Sequence, residues 1–112
     1  MKKALRILGA LVALAMAWPS LVSAQSLSGV VAGVVKDDQG GVLPGATVQL
    51  VGRAGAREAT TDTGGSYRFN AVDPGSYFVV VSMSGFQSVR RENIVVSVGK
   101  TFTVDASLKV GG

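Results

Sequence analysis

From Val31 onward, apolar and polar residues alternate in short runs broken by glycine, proline and aspartate. In Ala46-Thr47-Val48-Gln49-Leu50 the swap is strict, which is the period of a strand with one buried face. Tyr67-Arg68-Phe69 repeats it over a shorter span. Phe102, Val104, Ala106 and Leu108 alternate with Thr101, Thr103, Asp105 and Ser107 in the cleanest pattern of the chain. Val31, Gly33 and Val35 open the series, and Ile94, Val96 and Val98 add a further run. Tyr77, Val79, Val81 and Met83 form one face of a longer strand, and Phe78 and Val80 make its other face apolar as well. Such a strand either lies centrally with both faces covered or presents a patch that docks another domain or subunit.

Turn residues separate these runs at short intervals. They include Asp37-Asp38-Gln39-Gly40-Gly41, Pro44-Gly45, Gly52 to Gly55, Asp62-Thr63-Gly64-Gly65, Asp73-Pro74-Gly75 and Ser84-Gly85. Proline presets φ, glycine supplies positive φ, and aspartate bonds its own backbone, so each cluster has a mechanical role. Several short strands at spacings of about 8–12 residues predict an antiparallel β-sandwich of six or seven strands, without helix.

The first 24 residues follow different rules. Lys2, Lys3 and Arg6 make a positive head, Ile7 to Trp18 carries no charge, Pro19 and Ser20 break a helix, and Val22-Ser23-Ala24 ends in small residues. This is the layout of a secretory signal peptide. A membrane-spanning helix needs roughly 20 apolar residues, which this run does not reach. The expected division is a leader at 1–24 and one domain at 25–112, beginning with Gln25 and carrying no transmembrane segment after cleavage.

Removal of the leader changes the charge balance. The chain has 11 Lys and Arg against 7 Asp and Glu, a net of +4. Lys2, Lys3 and Arg6 leave with the leader, so the mature chain holds 8 against 7. The remaining cations are scattered, with no basic stripe or interleaved aromatics, which excludes nucleic acid as a partner. There is no cysteine, so sheet hydrogen bonding and the apolar core alone must hold a small exported domain together.

Three features in order carry a resemblance. They are the strand Val31-Ala32-Gly33-Val34-Val35-Lys36-Asp37, the segment Leu43-Pro44-Gly45-Ala46-Thr47-Val48, and the run Thr61-Asp62-Thr63-Gly64-Gly65-Ser66-Tyr67-Arg68-Phe69. Asp73-Pro74-Gly75-Ser76-Tyr77-Phe78-Val79-Val80 and Ser84-Gly85-Phe86 continue the series. From about Leu27 to Leu108 the chain resembles the carboxypeptidase regulatory-like domain. The resemblance implies a seven-stranded, antiparallel, transthyretin-like β-sandwich. The turn and core positions that carry it are Gly33, Val35, Asp37, Pro44, Gly45, Ala46, Asp62, Gly65, Tyr67, Phe69, Pro74, Gly75 and Tyr77. Pro44-Gly45 suits the central positions of a type II turn.

None of these residues forms a reactive constellation. The chain has no histidine, so neither zinc peptidase chemistry nor a Ser-His or Cys-His pair can be built. The expectation is a non-catalytic module without a cofactor. Asp37, Asp38, Asp62, Asp73 and Asp105 are hard oxygen donors, but no loop alternates three carboxylates as calcium sites do. Turn formation explains Asp37, Asp62 and Asp73 without metal. Carbohydrate platforms usually display aromatics, and only Phe78 and Phe86 fall outside the expected core faces.

The partner surface expected from sequence is therefore Phe78, Val80 and Phe86. Gln87 to Asn93, with Arg90, Arg91 and Glu92, reads as a solvated or edge stretch whose charges guard against aggregation. A leader followed directly by this kind of domain resembles the N-terminus of TonB-dependent outer-membrane receptors, in which the module precedes the plug and barrel. That resemblance implies location in the periplasm or at the periplasmic face of the outer membrane, with receptor domains following covalently. The alternatives are a free periplasmic or secreted module with a protein partner, and a carbohydrate-binding accessory domain.

Overall fold

The computed structural model describes residues 27–111, so the expected leader and the start at Gln25 lie outside the described residues. Eight strand segments follow in order: β1 (Gly29–Asp37), β2 (Thr47–Gly52), β3 (Gly55–Thr60), β4 (Ser66–Val72), β5 (Gly75–Ser82), β6 (Val89–Val96), β7 (Thr101–Thr103) and β8 (Ala106–Leu108). One sheet runs β4-β1-β7 with β8 also on β1, and the other runs β3-β2-β5-β6. The described residues contain no helix, and the expected β-sandwich is the fold.

The alternation puts the core where the pattern places it. Val31 and Val35 from β1, Val48 and Leu50 from β2, Tyr67 and Phe69 from β4, Val79 and Val81 from β5, and Ile94 and Val96 from β6 are all buried. Val104, Ala106 and Leu108 close the core from the last strand. Because side chains alternate across a strand, a slip of one residue in any pairing would expel that strand's whole apolar set.

Four features differ from the sequence expectation, each for a physical reason. The sandwich is not wholly antiparallel, because β7 and β8 both run parallel to β1. The chain crosses from the β6 end of one sheet to the other and joins β1 in β1's own direction. This last strand, expected as one continuous run, breaks at Val104-Asp105, where the Val104 amide donates to the Ala32 carbonyl and Asp105 Oδ1 accepts from the Val34 amide. β3 was absent from the expected strands because its residues, Gly-Ala-Arg-Glu-Ala-Thr, show no apolar alternation; only Ala59 is even half-buried. Pairing along all of β2 holds it instead. Val98 was expected in a strand but lies exposed in the turn after β6, whereas the expected solvated or edge stretch holds the start of β6, from Val89, and β6 ends its sheet.

Two aromatic positions also sit further out than the alternation implied. Tyr77 and Phe102 are half-buried and pack against the margin of the core. The Tyr77 hydroxyl donates to the Asp73 carbonyl at 2.7 Å, which fastens the turn before β5. A hydroxyl-bearing ring keeps its polar tip at the boundary for this reason.

Gly33 and Thr61 fix the two tightest junctions. A Cβ on Gly33 would lie 1.8 Å from the Val104 carbonyl oxygen, so only glycine lets the last strand pass so close to β1. Thr61 is the buried polar residue of the described core. Its Oγ1 accepts from the Ala46 amide at 2.8 Å and donates to the Leu43 carbonyl at 2.6 Å, which clamps the Pro44-Gly45 turn from both sides. Gly45 takes φ 81, the value a type II turn requires at its second central position.

Gly33→Ala is expected to cost about 3 kcal/mol or more, because backbone rather than a flexible side chain must yield. Thr61→Val is expected to cost about 2–4 kcal/mol, because it leaves two buried backbone groups unbonded. Urea unfolding followed by circular dichroism measures both, and a midpoint unchanged from the parent would contradict the corresponding contact.

Candidate interaction surfaces

Part of the resemblance-bearing set assembles at one end of the sandwich. The Val35 amide donates to the Gly65 carbonyl at 2.8 Å, and the Val35 carbonyl accepts from the Leu43 amide at 2.9 Å. Thr61 then ties Leu43 and Ala46 to the end of β3. Val35, Leu43, Gly45, Ala46, Thr61 and Gly65 thus meet in one hydrogen-bonded junction around Pro44, although they are separated in sequence. Gly33 lies apart from it, opposite Tyr67 and against Val104.

Asp37 and Asp62 serve the turns beside that junction. Asp37 Oδ1 accepts from the amides of Gln39 and Gly41 at 2.9 and 2.8 Å. Asp62 Oδ1 accepts from those of Gly64 and Ser66 at 3.0 and 2.9 Å. Pro74 and Gly75 form the turn at the other end, where Tyr77 bonds Asp73. Among the described residues no three metal-ligating side chains gather. No buried side-chain polar atom there lacks a partner. The junction is therefore a satisfied piece of scaffold with nothing aimed at a ligand.

Tyr67 and Phe69 meet edge to face, with ring centroids 5.9 Å apart. The Tyr67 hydroxyl donates to the Val104 carbonyl at 2.5 Å. Burial of the phenol, helped by the nearby Asp105 carboxylate, pushes its pKa up to about 12. Arg57 from β3 sets its guanidinium 5.6 Å from the Phe69 ring centre and donates to the carbonyls of Asn70 and Ala71. It latches the open side of the sandwich between β3 and β4. Sequence reading passed over Arg57 and, although it named Thr61 and Asp105, not their backbone-bonding roles, since a lone polar residue carries no signal of a distant backbone partner.

The expected partner surface does not form one patch. Phe78 and Val80 are half-buried on the outer face of the second sheet, on β5, which lies between β2 and β6. The Arg90 guanidinium carbon stands 3.8 Å from the centre of the Phe78 ring, and Arg90 Nε donates to Glu92 Oε1 at 2.8 Å. The ring is roofed by a cation that is itself held in place. Phe86 lies elsewhere, packed against the core and bridged to Val110. β5 is thus a central strand whose apolar outer face is half-buried, with Phe78 beneath Arg90.

A groove of about 730 Å³ crosses the outer face of the first sheet, with Asp62, Ser66, Arg68, Thr103 and Asp105 along it. Thr60, Ser66, Tyr67 and Thr103 bring hydroxyls to it, and the Ser66 amide serves the Asp62 turn.

Against known proteins, the carboxypeptidase regulatory-like domain family matches residues 30–109, and the chain belongs to that family. No curated protein matches it in sequence. Solved structures share the fold at low identity. The Bacillus anthracis TIE protein aligns at a TM-score of 0.64 and 18% identity, over 75% of this chain and 17% of that one. A proposed carbohydrate binding protein from Bacteroides uniformis aligns at 0.59 and 19%, over 71% and 40%. Catechol 1,2-dioxygenase from Acinetobacter radioresistens aligns at 0.58 and 11%, over 79% and 53%. The chain thus spans well under two thirds of each of these proteins. One sandwich occurs in a proposed carbohydrate binding protein and in a dioxygenase alike, so the fold by itself assigns no activity.

Tyr67 makes a pH prediction. Its pKa is raised in the folded state from 10.0 to about 12. Its contribution is therefore fully present below pH 10 and lost as the pH climbs towards 12. Tyr67→Phe, which leaves the Val104 carbonyl without its donor, is expected to cost about 1–3 kcal/mol at neutral pH. It should also remove that part of the alkaline loss. Urea midpoints from pH 8 to 12 compare the two proteins, and an equal alkaline decline in both would count against this assignment.

Proposed function

We propose that the chain is an exported, non-catalytic interaction module carried in line with other segments. In this reading Met1–Ala24 directs export and residues 25–112 form a periplasmic domain of the kind that precedes the plug and barrel in TonB-dependent receptors. The observation that carries the proposal is the parallel pairing of β8 with β1. Chain before Gly29 and chain after Leu108 leave from opposite ends of β1. Nine residues of strand separate those ends, about 30 Å at the usual rise. A hairpin-closed domain would return both ends to one side. Here whatever follows Leu108 would leave from the end of β1 remote from the mature N-terminus, which suits a front module.

Several observations support a binding or structural role over catalysis. The chain has no histidine or cysteine, and its motif residues are consumed by turns and core contacts. The Bacteroides protein of proposed carbohydrate binding and the cohesin–X-dockerin complex of Acetivibrio cellulolyticus use the same sandwich, which favours a recognition module. A carbohydrate reading would call for a displayed aromatic, and Phe78 lies beneath Arg90. A protein partner, either covalently following or separate, is therefore the preferred reading.

Cell fractionation with an antibody against residues 25–112 tests the proposal. A product in the outer-membrane fraction, far larger than the module, is the expected result for a receptor front end. A product of the module's own size in the periplasm or medium would replace that reading with a free exported module. A cytoplasmic product retaining Met1 to Ala24 would overturn both.

A further inference from the structure

We infer that β3 is a docking edge for an extended segment of another protein, one that carries a basic residue opposite Glu58. The inference rests on the reading of the chain as a protein-interaction module and names the surface that would do the work.

A sandwich exposes unpaired backbone wherever a sheet ends, and here three full-length strands end sheets: β4, β3 and β6. β4 is obstructed. Its pairing shifts register next to Ala71, which has φ 53, and Arg57 Nη1 occupies the Asn70 carbonyl at 2.8 Å. β6 is obstructed too. Its register with β5 shifts where Asn93 takes φ 61, and Arg90, Arg91 and Glu92 crowd the same stretch. Bulges and charges of this kind are how sheets prevent unwanted pairing.

β3 has no bulge, and its charges are two, Arg57 and Glu58. It pairs with β2 in unbroken register from Thr47 against Thr60 to Gly52 against Gly55. No strand lies beyond it. Gly55, Ala56 and Ala59 leave its main chain open to approach. Of its two charges, Arg57 is turned inward over Phe69 and holds β4. Glu58, opposite Gln49, shares the outer face with Ala56 and Thr60, and its carboxylate makes no hydrogen bond or ion pair among the described residues.

The occupant follows from pairing rules. Residues directly opposite in an antiparallel ladder share a face. A two-fold copy of β3 therefore pairs residues of like parity, and its two longest registers set Arg57 on Arg57 or Glu58 on Glu58. Both oppose like charges at the axis, which disfavours a second copy of this chain. An extended segment with a lysine or arginine facing Glu58 meets no such penalty. It gains main-chain hydrogen bonds by strand addition, while the charge pair fixes register and choice of partner.

The test is a titration of the isotope-labelled chain with two synthetic octapeptides, monitored by amide chemical shifts. Both alternate threonine and valine; one carries a central lysine and the other a central glutamate. Expected are shifts concentrated at Ala56 to Thr60, with the lysine peptide bound about three- to fivefold more tightly, the size of an exposed charge pair. Glu58→Lys, an exposed change that leaves the core intact, should reverse that preference. Shifts centred on β4, β6 or the Phe78 face, no binding of either peptide, or a preference that Glu58→Lys does not reverse would each overturn the inference. Loss of β3 docking leaves the in-line reading standing if the product fractionates with the envelope. A cytoplasmic product would remove the in-line reading whatever the peptides do.

Discussion

The Val104 carbonyl, held between Gly33 and the Tyr67 hydroxyl, is the contact on which the rest of the sandwich depends. At that point the last strand breaks, and Asp105 captures the Val34 amide. β7 and β8 can then follow β1 in parallel on either side of the break. A carbonyl buried there without a donor would cost a large share of a small domain's stability. Three residue types solve the problem together: a glycine without Cβ, a phenol long enough to reach across from β4, and an aspartate that replaces the missing ladder bond. The core of this cysteine-free domain closes around them.

Because the final strand runs beside the first in the same direction, Gly29 and Leu108 lie at opposite ends of β1. Of the turns that carry the family resemblance, those at Asp37, Pro44-Gly45 and Asp62 cluster at the end where β1 stops. They are occupied with one another through Val35, Gly65, Leu43, Ala46 and Thr61. Belonging to the carboxypeptidase regulatory-like family therefore describes how the domain is built. The exposed faces and edges of the sheets lie outside that junction.

Those surfaces are unequal. The apolar outer face of β5 attracts notice in the sequence, yet Arg90, held by Glu92, lies over its ring. The hydrophilic β3 attracts none, yet it presents the least obstructed backbone edge. Recognition through main chain needs no conspicuous side chains, so the best candidate edge is the segment with the plainest composition.

Most of the fold was legible in the chain itself. Strict alternation located β1, β2, β4, β5 and the last strand, and placed Val48, Leu50, Tyr67, Phe69, Val79 and Val81 in the core, because one-face burial imposes a period of two. Pro44-Gly45, Asp37 and Asp62 announced their turns through local backbone chemistry. What sequence could not supply were relations between distant residues. The parallel direction of β7 and β8, the existence of β3, the clamp made by Thr61, the latch made by Arg57 and the roof of Arg90 over Phe78 all depend on which strands become neighbours. Local patterns set which face of a strand is buried, whereas only the assembled sheets decide which strand lies beside it, since pairing energy is spread along backbones that every residue shares.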